Sequence, residues 1–256
     1  MYYIADKKGL YFKGEIGFCV SGDKYRLSHN PPLYLNVIKK TQIEAFPTDQ
    51  GGGMRGGDSH RYTVSLDSSA NVVWYSPAST LCYPSMYGSD DCCNLKVNIN
   101  LADSNLIFVN KPLIPCKDSN IRQDIEIKVD SKSSLLYWDE MSSGRVAHEE
   151  QWKFLNFENK LSLSCDNILA YKENWTLKKG MIPSSLAGFG ESCIYATGIF
   201  YNDAIKKIDV FKHICNESKC TYSVGKIYDN LFIIKLIDKT GIGLNNMTNQ
   251  ALSRKK

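Results

Sequence analysis

The sequence has no long apolar run. No stretch approaches the roughly 20 consecutive apolar residues that a membrane helix needs, so no spanning helix and no membrane partner are expected. Nor does charge of one sign dominate. Lys and Arg total 31 against 27 Asp and Glu, a net of +4, and the basic residues are not gathered into one long run, which argues against nucleic acid as a partner. The short basic "SRKK" at 253–256 reads as a solvated end. Histidine is scarce, with four in the chain, so a His-rich zinc or nickel cage is not expected. The opening "MYYIADKKGL" has no apolar core and no small-residue cleavage pattern, so no secretory signal is expected. A Gly-x-Ser-x-Gly elbow is missing, and no cysteine sits beside a plausible helix start. Covalent nucleophilic catalysis has no candidate.

What is present is ordinary globular composition, 43% hydrophobic and 23% charged. The 256 residues are enough for a sizeable core, and no linker interrupts them, so one domain over 1–256 is expected. The nine cysteines are an odd number without a signal peptide, which points to reduced thiols and a cytoplasmic location. "HICNESKC" (His213, Cys215, Cys220) and the Cys92–Cys93 pair approach ligand spacing, but a structural zinc needs about four ligands at tighter spacing. The thiols read first as small apolar packing groups.

The middle of the chain repeats itself. "YTVSLDSSANVVWY" begins at Tyr62, "LKVNINLADSNLIFV" at Leu95, "IEIKVDSKSSLLYW" at Ile125 and "LSLSCDNILAY" at Leu161. Each is an alternating strand, a polar turn containing Asp, and a short apolar strand. A spacing of about 30 residues marks stacked supersecondary units. Period two puts Val64 with Leu66, Val97 with Ile99, and Ile125, Ile127 and Val129 each on one face. Residues 60–172 therefore read as stacked β units, a short solenoid or a twisted sandwich. "NDAIKKIDVFKHI" (202–214) has the 3.6-residue apolar period of a helix.

Two stretches hold candidate chemistry. The first is "DQGGGMRGGDSHRYTVSL" (49–66). Gly51-x-Gly53-x-x-Gly56 imitates a dinucleotide fingerprint, but a strand follows where a helix is required. Gly52, Gly57 and Ser59 imitate a phosphate loop, but Asp58 occupies the lysine position and would repel phosphate. What remains is a loop shaped by glycines that delivers Asp58 at a strand start, for structure or for function. The second is "LLYWDEMSSGRVAHEEQWKF" (135–154), with Asp139 and Glu140, a Gly144–Arg145 turn, then Glu149 and Glu150. These are either structural ion pairs or the wall of an acidic channel offering hard oxygen ligands. Paired carboxylates also leave open a β-solenoid enzyme acting on carbohydrate.

These stretches carry a family likeness. "GGGMRGGD", then an alternating strand and "SPASTLCYPS" with Thr80, Tyr83 and Ser85 in register, resembles the urease accessory proteins of the UreD (UreH) family. "NPPLYL" near residue 30, "FVNKPLIPCKDS" (108–119) and the acidic stretch at 135–154 are similar to three further motifs of that family, in the same order. The likeness covers roughly residues 30–200. It implies a mainly β fold, with stacked strand repeats in a helical β, solenoid-like arrangement and about two helices. It implies no catalysis and no stably bound cofactor. It implies binding to apo-urease, UreF and UreG, the last being the GTPase, and passage of nickel into the urease active site, with a polar tunnel as route. By motif position it assigns Asp58, Asp139 and Glu150 to that nickel transit path, and Gly56, Gly57 and Arg145 to structure. Glu140 beside Asp139, and Glu149 beside Glu150, leave open which neighbour holds each acidic role. The C-terminal segment from Lys239 and the cysteines fall outside the likeness.

Overall fold

The computed structural model describes residues 3–6, 9–86, 91–180, 194–217 and 220–239. The basic end at 253–256 lies outside them.

Strands dominate. The N-terminal part supplies β1 (Tyr3–Asp6), β2 (Gly9–Ser21), β3 (Lys24–Asn30), β4 (Leu33–Lys39), β5 (Ile43–Asp49) and the two-residue β6 (Met54–Arg55). The repeats follow. The first gives β7 (Ser59–Asp67), β8 (Asn71–Tyr75) and β9 (Thr80–Tyr83). The second gives β10 (Cys93–Leu101), β11 (Asn105–Val109) and β12 (Leu113–Pro115). The third gives β13 (Asn120–Val129) and β14 (Ser134–Ser142). In each, the first strand joins one sheet and the second crosses to another. Corresponding strands pair in parallel and in register, Ile99 with Val64 and Ile127, and Phe108 with Trp74 and Tyr137. Parallel strands need a crossover connection, and here the facing sheet serves as the crossover.

The fourth repeat breaks the pattern. β15 (Asn156–Cys165) joins the first sheet, but β16 (Ile168–Lys178) folds back antiparallel onto it. Both residues of the connecting turn, Asp166 and Asn167, take positive φ, 48° and 65°. A two-residue loop in that conformation makes a tight hairpin and returns the chain to the same sheet. β17 (Ile194–Tyr201) then pairs antiparallel with β14, and β18 (Thr221–Tyr228) and β19 (Leu231–Asp238) extend that sheet. The mainly β expectation holds. The solenoid does not form. The result is two open sheets of eight and eleven strands, because the Asp166–Asn167 turn ends the parallel stack after three repeats.

The core lies between the sheets. Phe18, Val64, Val97, Ile125 and Leu161 meet Trp74, Leu106, Phe108, Leu135 and Tyr137. The second sheet is also buried on its outer face. There Leu136 and Trp138 pack against α1 (Ile208–Glu217), which follows a 3-10 turn at Asn202–Lys207. Buried Ala204, Ile208, Phe211, Ile214 and Cys215 make its apolar stripe, and the Phe211 ring lies 5.2 Å from that of Trp138. This is the helix that the period of 202–214 predicts. Among the described residues it is the one α-helix, against the expected two.

Candidate functional site

Register builds the site. Across the inner face of the second sheet Trp74, Phe108, Tyr137, Ile199 and Ile233 stand side by side. The rings stack, Trp74 on Phe108 at 5.4 Å and Phe108 on Tyr137 at 5.5 Å. A strand returns to the same face every second residue. One step along the sheet from this apolar row therefore stands a second row, and it is polar: Ser76, Asn110, Asp139, Thr197 and Lys235.

Hydrogen bonds link the polar row in two stretches. Ser76 Oγ donates to Asn110 Oδ1 at 3.0 Å, and Asn110 Nδ2 donates to Asp139 Oδ1 at a long 3.5 Å. From the facing sheet Gln123 Nε2 donates to Asp139 Oδ2 at 2.7 Å. Thr197 lies opposite Asp139 in the ladder, and Lys235 Nζ donates to Thr197 Oγ1 at 2.9 Å. Lys235 also forms an ion pair with Glu173 of β16, bridging the sheets. Burial pushes the Asp139 carboxyl up to about 6, against the lowering effect of Gln123, Asn110 and Lys235. Burial likewise lowers Lys235, opposed by Glu173.

The first sheet answers with its own polar row. His60, Leu95, Gln123 and Asn159 are in register. Both nitrogens of the fully buried His60, and Oδ1 of Asn159, have no hydrogen-bond partner in the protein. Burial holds His60 down at about 4, so it is neutral at physiological pH. Such unpaired groups each cost about 1–3 kcal/mol, a cost that an apolar layer of the same shape would avoid.

At one end the row opens into a cavity of about 260 Å³, lined by Ser76, Tyr62, Thr80, Asp49, Gly52 and Gly53. Asp49 therefore represents the glycine loop on the cavity wall. Its carboxylate accepts the Gly51 and Gly53 amides at 2.7 and 3.1 Å, and burial raises its pKa.

Asp58 has a different position. It is 3% exposed, and its oxygens accept the amides of Phe12 at 2.8 Å and Arg55 at 2.7 Å. It ties the start of β2 to the loop. Gly57 has φ 101°, and a Cβ there would overlap the Tyr11 ring; at Gly56 it would meet the Asp91 carbonyl at 2.6 Å. Glu150 faces Arg145, which donates through Nε at 2.8 Å and through Nη2, while the Lys117 amide adds a third bond at 3.0 Å. The guanidinium lowers Glu150 to about 2.

The two acids of each adjacent pair lie in different surroundings. Asp139 points between the sheets. Glu140 is buried on the helix side and accepts the Trp138 indole N–H at 2.7 Å. Glu149 is exposed at the end of a short 3-10 turn. The three sequence-assigned carboxylates thus have separate partners. Among the described residues no three His, Cys, Asp or Glu side chains come together to hold a metal ion. His213 is exposed and pairs with Glu217, while Cys215 packs under the helix.

Sequence reasoning missed Ser76, Asn110, Gln123, Glu173 and Lys235. For the first two a signal exists. "WYS", "FVN" and "YWD" fall at equivalent positions of the second strand in successive repeats, each an aromatic, a spacer and a polar residue.

Comparison with known proteins gives a consistent answer. Residues 25–254 match the UreD urease accessory protein family. The chain is 27% identical over 163 residues to a urease accessory protein UreD of Sporosarcina pasteurii, covering 60% of this chain and 63% of that protein. It is 35% identical over 131 residues to one of Aliarcobacter butzleri, covering 50% and 49%. To one of Lysinibacillus sphaericus it is 22% identical over 189 residues, covering 72% and 70%. The chain spans less than two-thirds of the length of the first relative and about half of the second. No helix among the described residues is long and apolar enough to cross a membrane.

Proposed function

The chain belongs to the UreD urease accessory protein family, and from that membership we propose that it is a scaffold of urease maturation in the cytoplasm. It binds apo-urease together with UreF and UreG, and it passes nickel toward the urease active site along the polar row between its sheets. Nickel is cargo in this reading, not a resident cofactor.

The observation that carries it is the row in register from the cavity at Ser76, hydrogen-bonded through Asn110 to Asp139 and, past the ladder step to Thr197, from Thr197 to Lys235. Carboxylate, hydroxyl and amide oxygens are suitable hard donors for a divalent cation. A route needs sites that bind well enough to admit an ion and weakly enough to release it. Single oxygens spaced along a row supply that, whereas a closed cage would retain the metal. Asp139 is the central station. Asp49, from the same glycine-rich stretch as Asp58, stands at the mouth. Asp58 and Glu150 hold the frame around the route. The carbohydrate-enzyme alternative is set aside, because the family is one of accessory proteins.

Reconstitution tests this. Urease subunits are co-expressed with UreE, UreF and UreG, with and without this chain, and urea hydrolysis is assayed. Activity that depends on the chain is expected. Full activity without it, and no complex on gel filtration, would overturn the reading.

A further inference from the structure

The polar row ends on a cation of the protein's own. Lys235 lies next to Thr197 on the ladder, and its ammonium reaches across to Glu173 on the opposite sheet. It also lies 5.8 Å from the ring centre of Tyr171 and 5.4 Å from that of Tyr195. A carboxylate, a hydroxyl and two aromatic faces around one positive charge make a cation-binding set. Glu173 is otherwise engaged, accepting the Tyr171 hydroxyl at 2.9 Å, the Tyr195 hydroxyl at 3.3 Å and the Trp175 indole N–H. Its side chain is 10% exposed and that of Lys235 is 27% exposed. The carboxylate is thus fixed in the wall, while the lysine has a path to solvent. β16 is the last strand of its sheet, and only β18 lies beyond β19 in the other. This places the pair near the open edge, away from the cavity at Ser76.

Taking the row as the cation path, we propose that Lys235 is its plug: the tethered ammonium fills the terminal cation position formed by Glu173, Thr197, Tyr171 and Tyr195, and a divalent ion reaches Glu173 only when Lys235 swings out. The exclusion is electrostatic. A divalent ion beside an ammonium in a poorly screened interior is repelled twice as strongly as a monovalent one, and the best oxygen donor there is already bound. The plug closes the far end of the row and leaves the cavity end open.

The test is nickel binding to the full-length chain by equilibrium dialysis at neutral pH. Lys235→Met is expected to raise affinity for Ni²⁺ about tenfold or more over the wild type, and Lys235→Arg to leave it at the wild-type level. Lys235→Met with Glu173→Gln removes both charges of the pair and is expected to lose the gain. Equal affinity in wild type and Lys235→Met overturns the plug, as does a gain that survives Glu173→Gln. Should Lys235→Met not fold, Lys235→Gln keeps a polar contact to Thr197 and carries the same comparison. The path itself is judged separately by Asp139→Asn in the reconstituted activation assay. A plug that fails beside an Asp139 that matters removes only the plug, whereas a dispensable Asp139 removes the path.

Discussion

Gln123 and Asp139 join the two sheets through a single 2.7 Å hydrogen bond, amide to carboxylate. Burial outweighs that bond, which favours the charged form, and raises the Asp139 pKa to about 6. In an unfolded chain the same carboxyl ionises near 3.9. The folded value is the higher one, so the group favours the fold below about pH 4, and that contribution is lost as pH rises through about 6. At neutral pH Asp139 is an ionised group held at a cost. Asp139→Asn removes that cost but also takes away one of the two acceptors that Gln123 and Asn110 use, so it is expected to abolish the loss of wild-type stability between about pH 4 and pH 6 while lowering urease activation. The first readout reports the charge and the second the route. A variant whose stability still falls over that range and that is fully active would refute the assignment.

Asp58 gives the contrary expectation. Its two oxygens accept the Phe12 and Arg55 amides, and Asn at this position supplies one acceptor where two are required. One amide is then left buried and unpaired. Asp58→Asn is expected to lose about 1–3 kcal/mol in chemical denaturation. Gly57→Ala strains the same loop through its φ of 101° and is expected to be at least as damaging. Unchanged stability in Asp58→Asn would free the carboxylate for a direct role in transit.

Arg145 and Glu150 make the acid limb of stability. The folded pKa of Glu150 is near 2, below the ordinary carboxylate value of about 4.3. Its contribution is complete above the unfolded value and is lost as pH falls through the folded one. The wild type is expected to exceed Glu150→Gln in stability near neutral pH, with the gap closing between about pH 4 and pH 2. A gap that persists to the acid end would mean that the pair is not what holds the turn.

Much of this was legible in the sequence for a plain reason. Where one face of a strand is buried, period two survives, and Val64, Leu66, Val97, Ile99, Ile125 and Ile127 announce the first sheet. The helix under Trp138 announces itself by its own period. The fate of the fourth repeat was not legible, because its strands alternate like the others and only the turn differs, Asp166–Asn167 being two residues where the earlier repeats have three or four. Contacts between distant segments were hidden too. Asp58 meets Phe12 across 46 positions and Glu173 meets Lys235 across 62. Local pattern supplies a strand's face but not its partner on the opposite sheet. Asp139 was named through the family likeness, with Glu140 open beside it, and no family motif pointed to its partners across the sheets.

Asn110 offers the sharpest test of the row, because it carries no charge. It receives the Ser76 hydroxyl and donates to Asp139, so it links the cavity to the central carboxylate. Leucine has the same branched side chain of four heavy atoms, though a larger one, and none of the hydrogen bonds. Asn110→Leu removes oxygen donors from the middle of the route and leaves Asp49, Asp139 and Lys235 in place. In a side chain that is only partly buried, the stability change is expected to stay within about 1 kcal/mol. Urease activation is expected to fall nonetheless, and adding Asp139→Asn should reduce it little further, since residues acting in series on one path do not add. Additive losses would mean that the two residues act separately. Normal activation by Asn110→Leu would mean that nickel does not travel along this row.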